Sequence, residues 1–168
     1  MDERRLVKVL EDALRAERDG FEFYTMAAER SDDPGAKDVL AHLAEEERRH
    51  FDALQKEYRS ILAGSGWDAT VVLGERWSPE GAGGIFSGDF KRRITGRHLE
   101  MSALSIGVLL EKSAYEFYAA SAERADDEAV RRFLEELAEW ENGHYQLLLR
   151  EDEGLRDAYW EENRFSPL

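Results

Sequence analysis

Apolar residues recur at intervals of three and four along four long segments of the chain, and this spacing predicts four amphipathic helices. In the first segment the apolar stripe runs through Leu6, Leu10, Leu14, Phe21 and Tyr24. The predicted helices cover about residues 3–30, 35–62, 102–124 and 128–152. Because each helix has one apolar face, the four faces must pack around a common core, so we expect an all-α bundle.

Short turns join the helices within each half of the chain. Residues 31–35 contain Pro34 and Gly35, and residues 125–127 form an equally short connection. Helices joined by such turns pack as antiparallel neighbours, so the sequence predicts two helical hairpins, at about 3–62 and 102–152.

The connection between the two hairpins is much longer. Residues 63–97 contain eight glycines and only one stretch, 87–94, that could form a short helix. A four-helix bundle with one long crossover between its second and third helices is therefore predicted, as a single domain spanning residues 1–168. Beyond Gly154, residues 155–163 predict a short fifth helix.

The two hairpins are related by an internal repeat. Residues 17–51 align without gaps on residues 111–145, always 94 positions apart, and 15 of the 35 aligned pairs are identical. Unrelated segments of this composition would share roughly 2 or 3. The chain therefore contains a duplicated helical hairpin.

Composition narrows the classes of function. The formal net charge of -14 leaves no surplus of Lys and Arg to neutralise phosphates, so we expect neither nucleic acid nor an anionic membrane as a partner. The chain has no cysteine, so a metal must bind oxygen and nitrogen ligands. The first residues enter a charged helix rather than an apolar run, so we expect no signal peptide and no membrane span, and a cytoplasmic location.

Polar residues interrupt the apolar stripes at matching positions of the two hairpins. Glu47 lies four residues after Leu43, and His50 lies four residues before Leu54, so both face the core. The repeat places the same residue types inward in the second hairpin. The inward-facing acids and histidines are Glu17, Glu47, His50, Glu111, Glu141 and His144.

Four carboxylates buried without countercharge would strongly destabilise a bundle. Two divalent cations would neutralise all four, and their binding would explain the number, spacing and repetition of these residues together. The alternative is four core acids that each find a separate partner, and the sequence offers no such partners. We therefore predict that the six residues bind metal.

The six residues follow the pattern of carboxylate-bridged di-iron bundles, in which two helices each supply a Glu and the other two each supply Glu-x-x-His. At these residues the chain resembles the rubrerythrin and bacterioferritin branch of the ferritin-like superfamily, over about 110 residues in two blocks. The resemblance implies a ferritin-like four-helix bundle with a di-iron centre. It also implies that Glu17 with His50 binds one ion, that Glu111 with His144 binds the other, and that Glu47 and Glu141 bridge them.

The chain departs from this pattern in three respects. Without cysteine it lacks the rubredoxin module of full-length rubrerythrins, so a separate protein would have to donate electrons. The additional Glu usual on the third helix of rubrerythrins is missing around Glu111. No methionine stands out as a haem ligand of the bacterioferritin kind.

The ligand set favours Fe(II), although Mn or Zn also suits such ligands. We expect a non-haem di-iron oxidoreductase of rubrerythrin type that reduces hydrogen peroxide or oxidises Fe(II) with dioxygen. One alternative is an iron-handling or storage protein with little turnover, including one carried as cargo within a larger shell. Another is a bundle in which the metals only stabilise the fold.

Aromatic residues near the predicted ligands have two interpretations. Tyr24 and Tyr118 lie seven residues after Glu17 and Glu111, where their hydroxyls would either donate to a ligand carboxylate or be satisfied elsewhere in the core. Trp140 is interpreted as a packing or subunit-contact residue.

Other polar residues are interpreted as surface residues. These are His42, His98 and the glutamate runs 45–46 and 135–136. We also expect a homodimer or larger homo-oligomer, with aromatic residues of the crossover covering a partner face. These aromatics are Trp67, Trp77, Phe86 and Phe90.

Overall fold

A computed structural model describes residues 1–76 and 98–162 of the protein. Its helices are α1 (Glu3–Arg30), α2 (Pro34–Leu62), α3 (His98–Glu123) and α4 (Glu128–Glu162). Strands are absent from these two ranges, and α1 packs along α2 as α3 packs along α4. The predicted all-α four-helix bundle built from two hairpins is confirmed.

Side chains just before α1 and α2 define where these helices begin. The Asp2 carboxylate accepts a hydrogen bond from the Arg5 backbone N–H at 2.9 Å, and Asp33 accepts one from the Ala36 N–H at the same distance. Pro34 occupies the first turn of α2, where its missing N–H leaves no helical hydrogen bond unmade. Helix α2 therefore begins at Pro34, one residue before the predicted start.

Helix α4 differs most from the sequence prediction. The expected fifth helix does not exist as a separate element, because α4 continues without a break through Gly154 to Glu162. A glycine inside a helix costs about 1 kcal/mol relative to alanine. Leu155 is fully buried beside Leu148, and burying such a side chain contributes more than the glycine costs. Helix α3 likewise begins at His98, four residues before the predicted start.

Two apolar clusters occupy opposite ends of the bundle. The first joins the beginning of α1 to the end of α2, the end of α3 and the beginning of α4, through residues such as Leu10, Leu54 and Leu134. The second joins the four opposite helix ends through residues such as Leu43 and Leu148. Helices α2 and α3 therefore run parallel, so the end of α2 and the beginning of α3 lie at opposite ends of the bundle. The middle of each helix lies between the clusters.

The first part of the crossover folds back onto the bundle. Trp67 packs edge-on against Phe133 with ring centroids 5.3 Å apart, and Leu73 is buried in the first cluster. The predicted short helix at 87–94 and the aromatics Trp77, Phe86 and Phe90 lie outside the described residues. None of the described helices is long and apolar enough to cross a membrane.

Candidate metal centre

The layer between the two apolar clusters contains all six of the acids and histidines predicted to face inward. Each is at most 5% exposed. They come from the middle of all four helices: Glu17 from α1, Glu47 and His50 from α2, Glu111 from α3, and Glu141 and His144 from α4. Two hairpins that pack against each other thus bring together residues more than 120 positions apart in the chain.

One group of side chains surrounds His50. Its Nδ1 lies 3.2 Å from Glu17 Oε2 and 3.2 Å from Glu141 Oε1. Glu47 completes the group, and one ligand atom from each of the four residues lies within 4.8 Å of the others. Two carboxylates from one hairpin and one from the other therefore converge with a single imidazole.

A second group surrounds His144 in the same way. Its Nδ1 lies 3.3 Å from Glu47 Oε1, 3.5 Å from Glu111 Oε2 and 3.7 Å from Glu141 Oε2. The ligand atoms of these four residues also lie within 4.8 Å of one another. Glu47 and Glu141 belong to both groups, so the two groups share one edge.

Burial and mutual repulsion disfavour the charged forms of two of the four carboxylates, and a bound cation would relieve this. Burial raises the pKa of Glu47 well above its ordinary value, and the charge of Glu141 raises it further. Burial and the charge of Glu17 raise the pKa of Glu141 in the same way. Burial by itself would raise the pKa of Glu111, but the charge and hydrogen bond of His144, together with hydrogen bonds from Glu141 and Tyr24, lower that pKa below its ordinary value. Conversely, burial by itself would lower the pKa of His144, but the charge and hydrogen bond of Glu111, with hydrogen bonds to Glu141 and Glu46, together raise it well above its ordinary value.

Several buried atoms of the layer have no hydrogen-bond partner among the described residues, so they are free to bind a metal ion. The unpaired buried atoms include Glu47 Oε1, Glu141 Oε1 and His144 Nδ1. Buried polar atoms are normally satisfied, and one cation in each of the two groups would satisfy all three. Among the described residues, no Lys or Arg forms an ion pair with the four carboxylates. The cluster is therefore compatible with a di-iron site.

Two tyrosines bridge the hairpins at this layer. The buried Tyr24 hydroxyl donates to Glu111 Oε1, and the buried Tyr118 hydroxyl donates to Glu17 Oε1. Burial and the adjacent carboxylates raise the pKa of both phenols well above the ordinary value, so both keep their protons. Each tyrosine therefore donates to a glutamate of the other hairpin through its Oε1. The Oε2 atoms of Glu17 and Glu111 remain close to His50 and His144.

Glu46 was expected on a solvated helix face, and this prediction is wrong. Its side chain is only 2% exposed, and its Oε2 lies 2.9 Å from His144 Nε2. A signal was present in the sequence, because Glu46 lies three residues after Leu43 and four before His50, on the core-facing side. Its neighbour in the run, Glu45, is exposed as expected.

The outer side of the layer is closed by Trp140 and two arginines. Trp140 is buried, in agreement with its interpretation as a packing residue. The guanidinium groups of Arg49 and Arg76 lie 5.6 Å and 5.2 Å from the centre of its ring. Arg76 occupies the notch left by Gly143, where a Cβ atom would lie 3.5 Å from the guanidinium carbon.

His42 is 40% exposed on its side chain, as predicted, and the side chain of His98 lies outside the described part.

A cavity of about 290 Å³ lies between α1 and α3 and reaches the carboxylates of the two Glu/His groups. Its walls include the four carboxylates of the cluster together with Asp12, Asp19 and Phe117. Gly20 also lines it, and a Cβ atom there would approach Glu47 Oε2 to 3.1 Å. The absence of that Cβ leaves room for the Glu47 carboxylate.

Comparison with known proteins places this architecture in a family. No curated protein and no solved structure matches the chain significantly. The sequence profile of the Rubrerythrin family matches residues 8–68 and 86–151, which is most of the chain and includes all six clustered acids and histidines. These 168 residues contain no cysteine and hence no rubredoxin module. The chain belongs to the Rubrerythrin family.

Proposed function

We propose that the protein is a cytoplasmic di-iron oxidoreductase that reduces hydrogen peroxide or oxidises Fe(II) with dioxygen. Glu17 and His50 would bind one iron, Glu111 and His144 would bind the other, and the remaining two carboxylates would bridge them. The observation that carries the proposal is the pair of buried Glu/His groups that share Glu47 and Glu141. Carboxylate-rich sites with imidazole suit Fe(II) and also accept Mn or Zn.

The charge of the site supports two divalent ions. Four buried carboxylates carry four negative charges, and two divalent cations neutralise them without protons. When bound, two Fe(II) ions supply one electron each, which with two protons converts hydrogen peroxide into two water molecules. The balance of charge and electrons therefore favours a pair of redox-active ions over a single ion.

The chain's own residues supply access and orientation. The cavity between α1 and α3 connects the surface to the carboxylates, and Asp12 and Asp19 in its wall favour the entry of cations. Tyr24 and Tyr118 hold Glu111 and Glu17 in place and keep protonated hydroxyls beside the cluster. Since the chain contains no rubredoxin module, peroxide turnover would depend on a separate electron donor.

Iron binding is the first test. Anaerobic Fe(II) titration of the wild type should give two irons per chain, and the double variant Glu47→Gln, Glu141→Gln should bind neither tightly. The matched control is Glu45→Gln, Glu139→Gln, which changes two exposed glutamates that are also 94 residues apart. The control should bind iron as the wild type does. Failure of the wild type to bind iron would refute the proposal.

The reaction is tested by exposing the two-iron protein to either oxidant. Ferric charge-transfer absorption that develops faster with peroxide than with dioxygen would identify a peroxidase, and the reverse order a ferroxidase. Accumulation of many irons per chain in a large assembly would favour storage instead. Bound iron that neither oxidant oxidises, with a large rise in Tm, would identify a purely stabilising role.

Self-association remains part of the proposal. Helix α3 contains an uncharged run at 101–110, in which Ile106 and Leu109 are 46% and 64% exposed. In a chain with a net charge of -14, a second copy can approach this surface with little charge repulsion. Light scattering coupled to size-exclusion chromatography measures the oligomeric state.

A further inference from the structure

The internal repeat predicts equivalent surroundings for His50 and His144, but two substitutions within the repeat break that equivalence. At a separation of 94 residues, Glu46 corresponds to Trp140, and Arg49 corresponds to Gly143. Both pairs lie within four residues of the two histidines. The symmetry is therefore lost on the side of the imidazole rings that faces away from the clustered carboxylates.

The His144 ring is held by a carboxylate on its far side. His144 Nε2 lies 2.9 Å from Glu46 Oε2, while Glu46 Oε1 accepts a hydrogen bond from Arg49 Nη2 at 3.2 Å. Arg49 in turn donates to the Glu75 backbone carbonyl at 2.8 Å. A carboxylate on the distal nitrogen fixes the tautomer of an imidazole, orients the ring and strengthens the other nitrogen as a metal ligand.

The His50 ring has no such support. Its Nε2 is buried and makes no hydrogen bond within the described part of the chain. The imidazole ring packs instead against Trp140, with the two ring centroids 4.9 Å apart and an interplanar angle of 86°. The guanidinium groups of Arg49 and Arg76 lie over the same indole ring. Packing orients the His50 ring, and among the described residues no carboxylate accepts a hydrogen bond from its Nε2 to strengthen Nδ1 as a metal ligand.

We infer that the two metal positions are unequal: the His144 position binds its ion more tightly and fills first, and Glu46 is the positioning residue that creates the difference. The inference rests on the metal-binding part of the proposed function. Outer carboxylates of this kind typically change metal affinity by 10–100-fold. The His50 position, beside Glu17, is then the one that exchanges its ion.

The test uses Co(II), whose visible absorption reports each occupied position. Anaerobic titration of the wild-type protein should show two binding steps whose dissociation constants differ by roughly 10–100-fold. His144→Gln should remove the tight step, and His50→Gln should remove the weak one. Glu46→Gln should weaken the tight step by a similar factor, so that the two steps merge, whereas the matched control Glu45→Gln should leave both unchanged.

A second readout needs no variant. In the proton NMR spectrum of the Co(II)-loaded wild type, the first equivalent should produce a shifted imidazole N–H signal that exchanges slowly with solvent, because Glu46 accepts that hydrogen bond. Two wild-type steps of equal affinity, or a Glu46→Gln variant that weakens both steps equally, would overturn the inference and leave the di-metal site standing. Absence of Co(II) binding would overturn both.

Discussion

Replacing the two shared carboxylates should make the metal-free protein more stable and the metal-loaded protein less stable. In the double variant Glu47→Gln, Glu141→Gln, two buried acids become neutral amides of nearly the same shape. The raised pKa values of both acids show that the folded protein disfavours their charged forms. The amide N–H groups of the variant can also donate to neighbouring carboxylates such as Glu111. At these two positions the residues that favour metal binding therefore lower the stability of the metal-free protein.

The magnitude follows from the two unpaired oxygens. Glu47 Oε1 and Glu141 Oε1 are buried without hydrogen bonds, and one such acceptor costs about 1–3 kcal/mol. Taking the lower end of this range for each of the two oxygens, we expect the variant to gain about 2 kcal/mol in total, which at this chain length raises the Tm by roughly 4–8 °C. Metal at about 100 times its Kd adds about 2.7 kcal/mol per bound ion to the wild type alone, or roughly 5–11 °C.

Differential scanning calorimetry with chelator, and again with added metal, measures both effects. The order of Tm values should invert: the variant melts higher with chelator, and the wild type melts higher with metal. The control Glu45→Gln, Glu139→Gln should follow the wild type under both conditions, because both side chains are exposed. A variant that melts below the wild type in chelator would refute the reasoning, since the carboxylates would then be satisfied within the bundle itself.

Three further predictions concern single residues. Tyr118→Phe removes the donor to Glu17 and leaves a buried acceptor unpaired, so chelator-treated protein should lose about 1–3 kcal/mol in urea unfolding; a loss under 0.5 kcal/mol would contradict this. Burial raises the pKa of Glu57 to about 7, so wild-type stability should fall as pH rises from about 4.5 to 7. Glu57→Gln should remove this fall and gain on the order of 2 kcal/mol at pH 8, and an unchanged pH profile of unfolding would exclude the effect. Gly20→Ala adds a Cβ 3.1 Å from Glu47 Oε2, so metal titration should show weaker binding. The higher helix propensity of alanine should keep the Tm of the metal-free protein equal or raise it. An unaltered metal affinity would show that Glu47 moves aside freely.

Helical periodicity was sufficient to predict which side of each helix faces the core. Side chains three and four residues apart share a helix face, so polar residues within an apolar stripe must point inward. This rule found Glu17, Glu47 and His50 in the first hairpin, and the repeat carried the same pattern to the second. The rule also applied to Glu46, but the adjacent Glu45 made the pair resemble a solvated run.

Contacts between the hairpins were beyond the reach of spacing rules. Tyr24 follows Glu17 on α1, yet it donates to Glu111 on α3, 87 residues away. Which acid it meets depends on how the two hairpins pack, and periodicity within one helix carries no such information. The length of α4 was likewise not predictable from local spacing. The helix continues through Gly154 because the burial of Leu155 in the second apolar cluster outweighs the cost of a glycine within a helix.

The sequence by itself determined the four helices, the duplicated hairpin and the inward direction of six acids and histidines, because these depend on local geometry and on spacing along one chain. Only the tertiary structure decided which acid each tyrosine meets, and that Glu46 supports one histidine while Trp140 packs against the other. Such differences arise where four helices meet, since distances between side chains there are determined by packing rather than by sequence separation.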